Sequence, residues 1–403
     1  MELVTLDEIK QAARTLQGIA VKTPLEHSRA LSDRAGGDIY LKCENLQRTG
    51  SFKIRGAYNR IARLSDEERA RGVVGASAGN HAQGVALAAT LLNVKSTVFM
   101  PEGAALPKVA ATEKYGADVV LVGLVYDDAF AAAKAFADKT GAVMVHPFEH
   151  RDVIAGQGTI ALEILDQLPE VGSIVAPIGG GGSIAGIAAG AKALKPGVRI
   201  VGVEPAGAAG VSRALEAGHP VELDTVSTVA DGLAARQTGE LCLAHVAKFV
   251  DEVVTVTDEQ IAEALVFVLE RGKLVVEPSG AAGVAAVLTQ PANLVFPVVV
   301  HLSGGNIDPL LLLRMIRFGM GSAGRYFLFR TKVPDRPGEL HKLLGVIADA
   351  GGNVAGVEHH REGAGIEHLG EVEVGLQVET RGLDHVEALT KSLEEAGYRV
   401  ESR

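Results

Sequence analysis

From residue 20 to about residue 320, short apolar runs alternate with amphipathic or alanine-rich windows. The runs at 73–74, 96–100, 117–122, 143–146, 173–177, 199–203 and 298–302 read as strands. The windows at 82–92, 126–140, 155–167, 184–195 and 258–271 carry helical spacing. Thr5 with Glu8, and Thr257 with Gln260, have the reciprocal spacing of capping boxes and should each open a helix. Strand–helix–strand repetition predicts an α/β fold with mostly parallel sheets, and ligands bind such sheets at the carboxyl ends of strands. Beyond residue 320 the texture changes. Gly319, Gly321, Ser322, Ala323 and Gly324 suggest a flexible joint, with 321–325 as linker. The next residues, 326–333, alternate so that Phe327, Phe329, Thr331 and Val333 share one face. A helix at 339–350, strands at 353–357 and 371–379, a helix at 383–396 and a strand at 398–401 complete a β-α-β-β-α-β unit of ferredoxin-like type.

Length supports this division, since 403 residues exceed what one core usually holds. The uncharged stretches 172–191 and 278–307 are interrupted by glycine and proline, which no ~20-residue membrane span would tolerate uncompensated. Buried parallel strands explain them better. The start of the chain has acidic residues where a signal peptide is basic, which predicts a cytoplasmic location. A formal charge of -10 argues against nucleic acid or an anionic membrane as main partner. Cys43 and Cys242 are too few for a disulfide framework or a cysteine zinc site, so a reducing compartment is expected.

Four motifs could carry chemistry. In 50–57 (GSFKIRGA), Ser51 can cap a helix whose apolar face includes Ile54, Tyr58, Ile61 and Leu64. Lys53 then lies in the first turn, where the helix dipole disfavours a cation. An amine held neutral is a nucleophile suited to an aldehyde; the bland alternative is a surface lysine. In 77–84 (SAGNHAQG), a strand-to-helix turn of small residues aims N–H groups at an anion such as a carboxylate, and Asn80 adds a neutral donor. Gly179, Gly180, Gly181 and Gly182 allow backbone to wrap a phosphate at a helix start. With Ala185 and Glu204 this loop also fits a loose dinucleotide pattern, leaving a nicotinamide-dependent oxidoreductase as a rival. Ser303 ends a valine-rich strand and offers a neutral hydroxyl. Amine, phosphate cradle, anion turn and hydroxyl together fit pyridoxal phosphate; the rival leaves Lys53 and Asn80 unexplained.

Together and in order, 51–57, 77–84, the tetraglycine, Val229-Ala230-Asp231-Gly232 and Ser303-Gly304-Gly305-Asn306 resemble the motifs of threonine dehydratases across residues 1–320. The tail, with Asp335-Arg336-Pro337-Gly338, resembles an ACT regulatory domain over 326–403. The resemblance implies the fold-type II pyridoxal-phosphate arrangement shared with tryptophan synthase beta chain, with a small lobe at about 46–145 inserted in the large lobe. It implies that Lys53 binds the cofactor covalently, with Phe52 near its ring, and that Asn80 meets the ring hydroxyl. Gly179 to Gly182 would hold the phosphate, and Ser303 would face the ring nitrogen. Ser77, Ala78, Gly79, Asn80 and His81 would bind the substrate carboxylate.

The implied activity is deamination of L-threonine, and also of L-serine, to the 2-oxo acid and ammonia, as a first step towards isoleucine. In the tail, Asp335, Arg336, Gly338 and Asn353 would bind an amino-acid effector, isoleucine or valine, and family habit suggests a homotetramer. Two departures bear on alternatives. Racemases of this fold carry serine where this chain has Ala78, so racemisation is disfavoured. Their second metal-binding acid falls on Gly210, so no metal is assigned to Glu204. A catalytically silent amino-acid sensor is the non-enzymatic alternative.

Overall fold

The first capping box opens the chain as its spacing predicts: Glu8 N–H donates to Thr5 Oγ1 at 3.3 Å, and Thr5 N–H to the Glu8 carboxylate at 2.8 Å. Helix Leu6–Thr15 follows. The same reciprocal pair, Thr257 with Gln260, opens helix Asp258–Phe267. These observations come from a computed structural model that describes residues 2–291, 294–360 and 370–402. The backbone forms two compact units dividing between Leu312 and Leu313.

The first unit holds two sheets. Its strands are β1 (Leu25–His27), β2 (Ile39–Lys42), β3 (Val73–Ala76), β4 (Ser96–Met100), β5 (Asp118–Leu121), β6 (Val143–Met144), β7 (Ser173–Pro177), β8 (Arg199–Pro205), β9 (Glu252–Val256) and β10 (Val298–His301). The larger sheet runs β1-β2-β10-β7-β8-β9, parallel except for the edge strand β1. The smaller runs β5-β4-β3-β6 and is parallel throughout. Three strands carry no clear apolar run in the sequence. β1 is short and largely exposed, β9 is a half-buried edge, and β2 ends in Lys42, whose ammonium is buried by pairing.

The uncharged stretches are not strands alone. Each resolves into one strand and one helix: β7 with Gly182–Leu194, and Pro278–Thr289 with β10. The first helix agrees with the helical window at 184–195; the second is buried nearly all round, which removes the polar stripe that would have marked it. Residues 292 and 293 of the second stretch lie outside the described residues. Among the described residues, no helix is long and apolar enough to cross a membrane.

The cores are aliphatic. Ile160, Ile174, Ile187, Val198, Ile200 and Val299 pack around the larger sheet, and Ile54, Ile61, Val85, Val98 and Met100 around the smaller. Each fully buried side chain of this size contributes roughly 1.5–3 kcal/mol. Helices Lys53–Ala62 and Arg151–Gln167 cross in near backbone contact: a Cβ at Gly156 would fall 2.6 Å from the Arg55 carbonyl. Glycine there sets how closely the Lys53 helix seats.

The second unit contains β11 (Tyr326–Pro334), β12 (Asn353–His360), β13 (Glu371–Glu379) and β14 (Glu401–Ser402), in the antiparallel order β12-β13-β11-β14. Helices Glu339–Asp349 and Leu383–Glu395 complete the ferredoxin-like order. Phe329, Thr331 and Val333 are buried and Phe327 packs against the same core, so the predicted face of β11 points inward. The joint expected at 319–324 is mostly absent. Gly319, Gly321 and Ser322 lie in helix Pro309–Ser322, and only Gly324, at φ +65°, turns the chain. The preceding leucine-rich spacing outweighs the ~1 kcal/mol that each glycine costs a helix. The two units therefore divide within this helix, earlier than the linker expected at 321–325.

Candidate active site

Helix Lys53–Ala62 starts without the cap its sequence suggests. Ser51 Oγ is buried and has no hydrogen-bond partner, and Phe52, the residue at the cap position, makes no side-chain cap bond. Instead the segment is clamped to the end of β10. Ser51 bridges Gly304 through the backbone, and Phe52 N–H donates to the Ser303 carbonyl at 3.2 Å. Lys53 is thus held beside Ser303, whose own side chain is buried.

Lys53 Nζ donates to the Pro147 carbonyl at 3.1 Å and lies 5.2 Å from the centre of the Phe52 ring. The residue is half-buried, but the surrounding protein desolvates the amine and lowers its pKa to about 8; Cys242 and Glu277 pull it back up. Desolvation, rather than the helix dipole invoked from sequence, is the main cause.

Two residues on, Arg55 fixes the helix from behind. Its guanidinium bonds Glu44 at 2.8 Å and Glu163 at 2.6 Å, and Lys42 also reaches Glu163 at 2.6 Å. Burial would raise the Glu44 carboxyl, but Arg55 and Thr23 hold it down at about 2. His301, packed edge-on against Phe52 at 5.5 Å, is fully buried with neither ring nitrogen hydrogen-bonded, and burial lowers it to about 4.

The turn after β3 approaches from the smaller sheet. Residues 77–80 stay partly open, and helix Asn80–Leu91 begins two residues earlier than its apolar window. Gly79 N–H donates to Ser77 Oγ at 3.1 Å, tightening the turn. The side chain of His81 does not face this turn. Its Nε2 lies 2.7 Å from the Val145 carbonyl, and burial lowers its pKa to about 3, so any part it plays with a ligand is through its backbone. Asn80 Nδ2 donates to Glu277 at 2.5 Å, and Asn80 Oδ1 accepts from Asn306 at 2.8 Å.

The tetraglycine joins β7 to helix Gly182–Leu194. Gly181 takes φ +95°, and a Cβ on Gly180 would overlap the Phe148 ring. Ser183 Oγ, in the first helical turn, is buried without a partner. Thr238 Oγ1 donates to the Gly180 carbonyl at 3.0 Å. Because Pro147 receives Lys53 and Phe148 covers Gly180, segment 146–149 brings the amine and the loop to one wall. Glu204 has a different task. It accepts from Val211 N–H at 2.7 Å and from Ser212 N–H at 2.9 Å, and so ties down helix Gly210–Ala217. That leaves the dinucleotide reading without its ribose-binding acid.

Lys53, Phe52, Asn80, the glycine loop and Ser303 therefore meet at the carboxyl ends of β3, β7 and β10. Asp335, Arg336, Gly338 and Asn353 lie in the other compact unit. There, Gly338 at φ +92° precedes helix Glu339–Asp349, and Asn353 Nδ2 donates to Glu379 at 2.7 Å. Sequence reasoning missed Glu277, Phe148 and the Lys108–Asp231 ion pair at 2.5 Å. Glu277 carried a signal as the sole carboxylate between Lys273 and Asp308, immediately before Pro278, and Asp231 lay in the 229–232 motif without its partner Lys108 being apparent.

The donor set suits one kind of ligand. A lowered amine could bind an aldehyde, and backbone N–H groups with the unpartnered Ser183 hydroxyl could hold a phosphate. Ser303 and Asn80 could meet polar atoms of a ring.

Residues 16–304 match the family of pyridoxal-phosphate-dependent enzymes, and residues 328–395 match the ACT domain. An L-threonine ammonia-lyase of Thermotoga maritima is 46% identical over 398 residues, covering 99% of both chains. Threonine deaminase isoform 2 of Solanum lycopersicum, in its processed form, is similar at TM-score 0.73 and 39% identity, covering 79% of this chain and 95% of that one. Maize serine racemase is similar at TM-score 0.74 and 37% identity, covering 78% and 97%.

Proposed function

The chain belongs to the pyridoxal-phosphate-dependent enzymes, with an ACT domain following the catalytic region in sequence, and from this we infer that it deaminates L-threonine to 2-oxobutanoate and ammonia. The observation that carries the reading is the lowered amine of Lys53 placed beside Ser303 and the glycine loop. In this reading Lys53 binds the cofactor aldehyde through Nζ and Phe52 lies near the ring. Gly179 to Gly182 and the helix start behind them hold the phosphate, Asn80 meets the ring oxygen, and Ser303 faces the ring nitrogen. When bound, the cofactor supplies an aldehyde carbon that accepts amines and a ring that withdraws electrons from the substrate Cα.

The N–H groups of the 77–81 turn orient the substrate carboxylate. Lys53 Nζ, neutral above about 8, removes the Cα proton. Ser303 gives the ring nitrogen a neutral partner, so negative charge at Cα is short-lived and loss of the β-hydroxyl prevails. The Ala78 methyl group cannot return a proton on the opposite face, which disfavours racemisation. Loss of water leaves an enamine of the substrate, and its hydrolysis gives 2-oxobutanoate and ammonia. L-Serine, smaller by one methyl, is a second substrate; a methyl in a pocket discriminates by only ~1–3 kcal/mol.

We assign regulation to the second unit. The 335–338 turn and Asn353 form an amino-acid site for isoleucine or valine, which feeds back on a first step towards isoleucine. The enzyme works as a homotetramer in the cytoplasm, a reducing compartment in keeping with two buried free cysteines. The test is a 2-oxo acid assay on purified protein with threonine and with serine, repeated with isoleucine and with valine. Ammonia and the 2-oxo acid in equal amounts are expected, 2-oxobutanoate from threonine and pyruvate from serine, and absence of both products from protein that carries the cofactor overturns the reading in favour of an amino-acid sensor.

A further inference from the structure

Glu277 occupies the position before helix Pro278–Thr289 yet makes no cap bond with its side chain. It is 2% exposed, and its Oε1 accepts from Asn80 Nδ2 at 2.5 Å, joining the start of helix Pro278–Thr289 to the start of helix Asn80–Leu91. The backbone is shaped to admit it. Glu277 N–H donates to the Gly304 carbonyl at 3.1 Å, and a Cβ on Gly304 would overlap the Glu277 carboxylate.

The other end of Asn80 is equally committed. Asn306 Nδ2 has two hydrogens, and two close acceptors receive them: Asn80 Oδ1 at 2.8 Å and the Thr49 carbonyl at 2.5 Å. Thr49 presents that carbonyl from a left-handed backbone, φ 61°, that a β-branched residue seldom adopts. An amide oxygen cannot donate and an amino group cannot accept, so the chain Thr49–Asn306–Asn80–Glu277 permits a single orientation of the Asn80 amide. One amino hydrogen of Asn80 goes to Glu277, and the second has no acceptor among the described residues.

We propose that Glu277 is a positioning residue: by accepting one hydrogen of Asn80 it holds the other ready for the ring oxygen of the cofactor. The proposal rests on the reading of Asn80 given above. The charged groups facing Glu277 are Asp231, Lys108 and Lys53; burial and Asp231 raise its carboxyl to about 7, against Lys108, Asn80 and Lys53. Its role survives either protonation state, because a neutral carboxyl still offers its carbonyl oxygen to Asn80.

The test compares full-length holoenzymes with Glu277→Met, which keeps the side chain's length but has no comparable acceptor, and Glu277→Gln, which keeps the acceptor. The readout is the rate at which bound pyridoxal phosphate is lost on dialysis, followed by its visible absorbance. Glu277→Met should lose cofactor about tenfold faster than wild type, and Glu277→Gln within about twofold of it. In an Asn80→Ala background, Glu277→Met should add nothing further, since both act on one hydrogen bond. If Glu277→Met does not fold, Glu277→Ala is read in the same way. Retention equal to wild type, or additive losses in the double variant, overturns the proposal. A wild-type protein without bound cofactor overturns the functional reading itself, and the two failures are thereby distinguished.

Discussion

Phe52 donates its backbone N–H to the carbonyl of Ser303, so the helix start that bears Lys53 and the strand end that bears Ser303 form one rigid corner. Lys53 and Ser303 lie 250 residues apart in the chain, yet their backbones cannot separate without breaking this bond.

Lys53→Ala should lower turnover by at least about 10²–10⁴-fold, the usual worth of a positioned acid–base group, and should abolish the cofactor's covalent attachment. Lys53→Arg should do no better, because a guanidinium stays charged. In the substrate complex, where Lys53 is free to act as base, the neutral amine becomes more abundant as pH rises through about 8, so kcat should rise over the same interval. Steady-state kinetics against pH checks this, and a profile that falls there contradicts it.

Gly180→Ala should weaken cofactor retention, since the added methyl overlaps the Phe148 ring. Overpacking of this kind costs ~1–3 kcal/mol. Phe148→Leu in the same chain should recover part of the loss. Cofactor content after gel filtration and a thermal melt separate loss of binding from loss of folding.

Arg55→Met should destabilise the catalytic unit by ~3–5 kcal/mol, because it leaves Glu44 and Glu163 without their main partner. The Glu44 contribution has a definite pH sense. Its folded pKa, about 2, lies below its ordinary 4.5, so the stabilisation is complete above 4.5 and disappears as pH falls towards 2. His301 and His146 behave likewise at higher pH. Burial lowers both from 6.5 to about 4, so the unfolded chain takes up protons first and stability declines as pH falls from 6.5 to 4. His301→Leu should flatten that part of a urea-unfolding profile.

Asn353→Ala should weaken the response to isoleucine or valine by about tenfold while leaving uninhibited turnover unchanged, an effect within the usual 1–3 kcal/mol range of coupling. Inhibition curves at fixed threonine measure it. An unaltered curve would remove Asn353 from the effector site.

Strands were legible by two different signs. β4 and β7, buried on both faces, match short apolar runs, and β11, buried on one face, matches its alternation, because a strand with one distinct face writes that face into its period. Helix Gly182–Leu194 was legible over most of its length as the window at 184–195, but helix Pro278–Thr289 was not, because it is buried nearly all round and no polar stripe remained to give a period of 3.6. The glycine-rich end of helix Pro309–Ser322 looked like a joint because its composition is that of loops.

Local chemistry set by neighbours in the chain was thus determined by sequence alone: the capping boxes, the amine at a helix start, the glycine turn before a helix, and the serine at the end of a strand. Tertiary structure alone decided what those groups face. Ser51 gave up its cap to pair with Gly304, His81 turned to Val145, and Glu204 was taken by helix Gly210–Ala217. The amine of Lys53 is lowered by enclosure rather than by its helix, and Glu277 reaches Asn80 from 197 residues away. Desolvation and long-range hydrogen bonds depend on which surfaces the fold brings together, and no spacing along the chain encodes that distance.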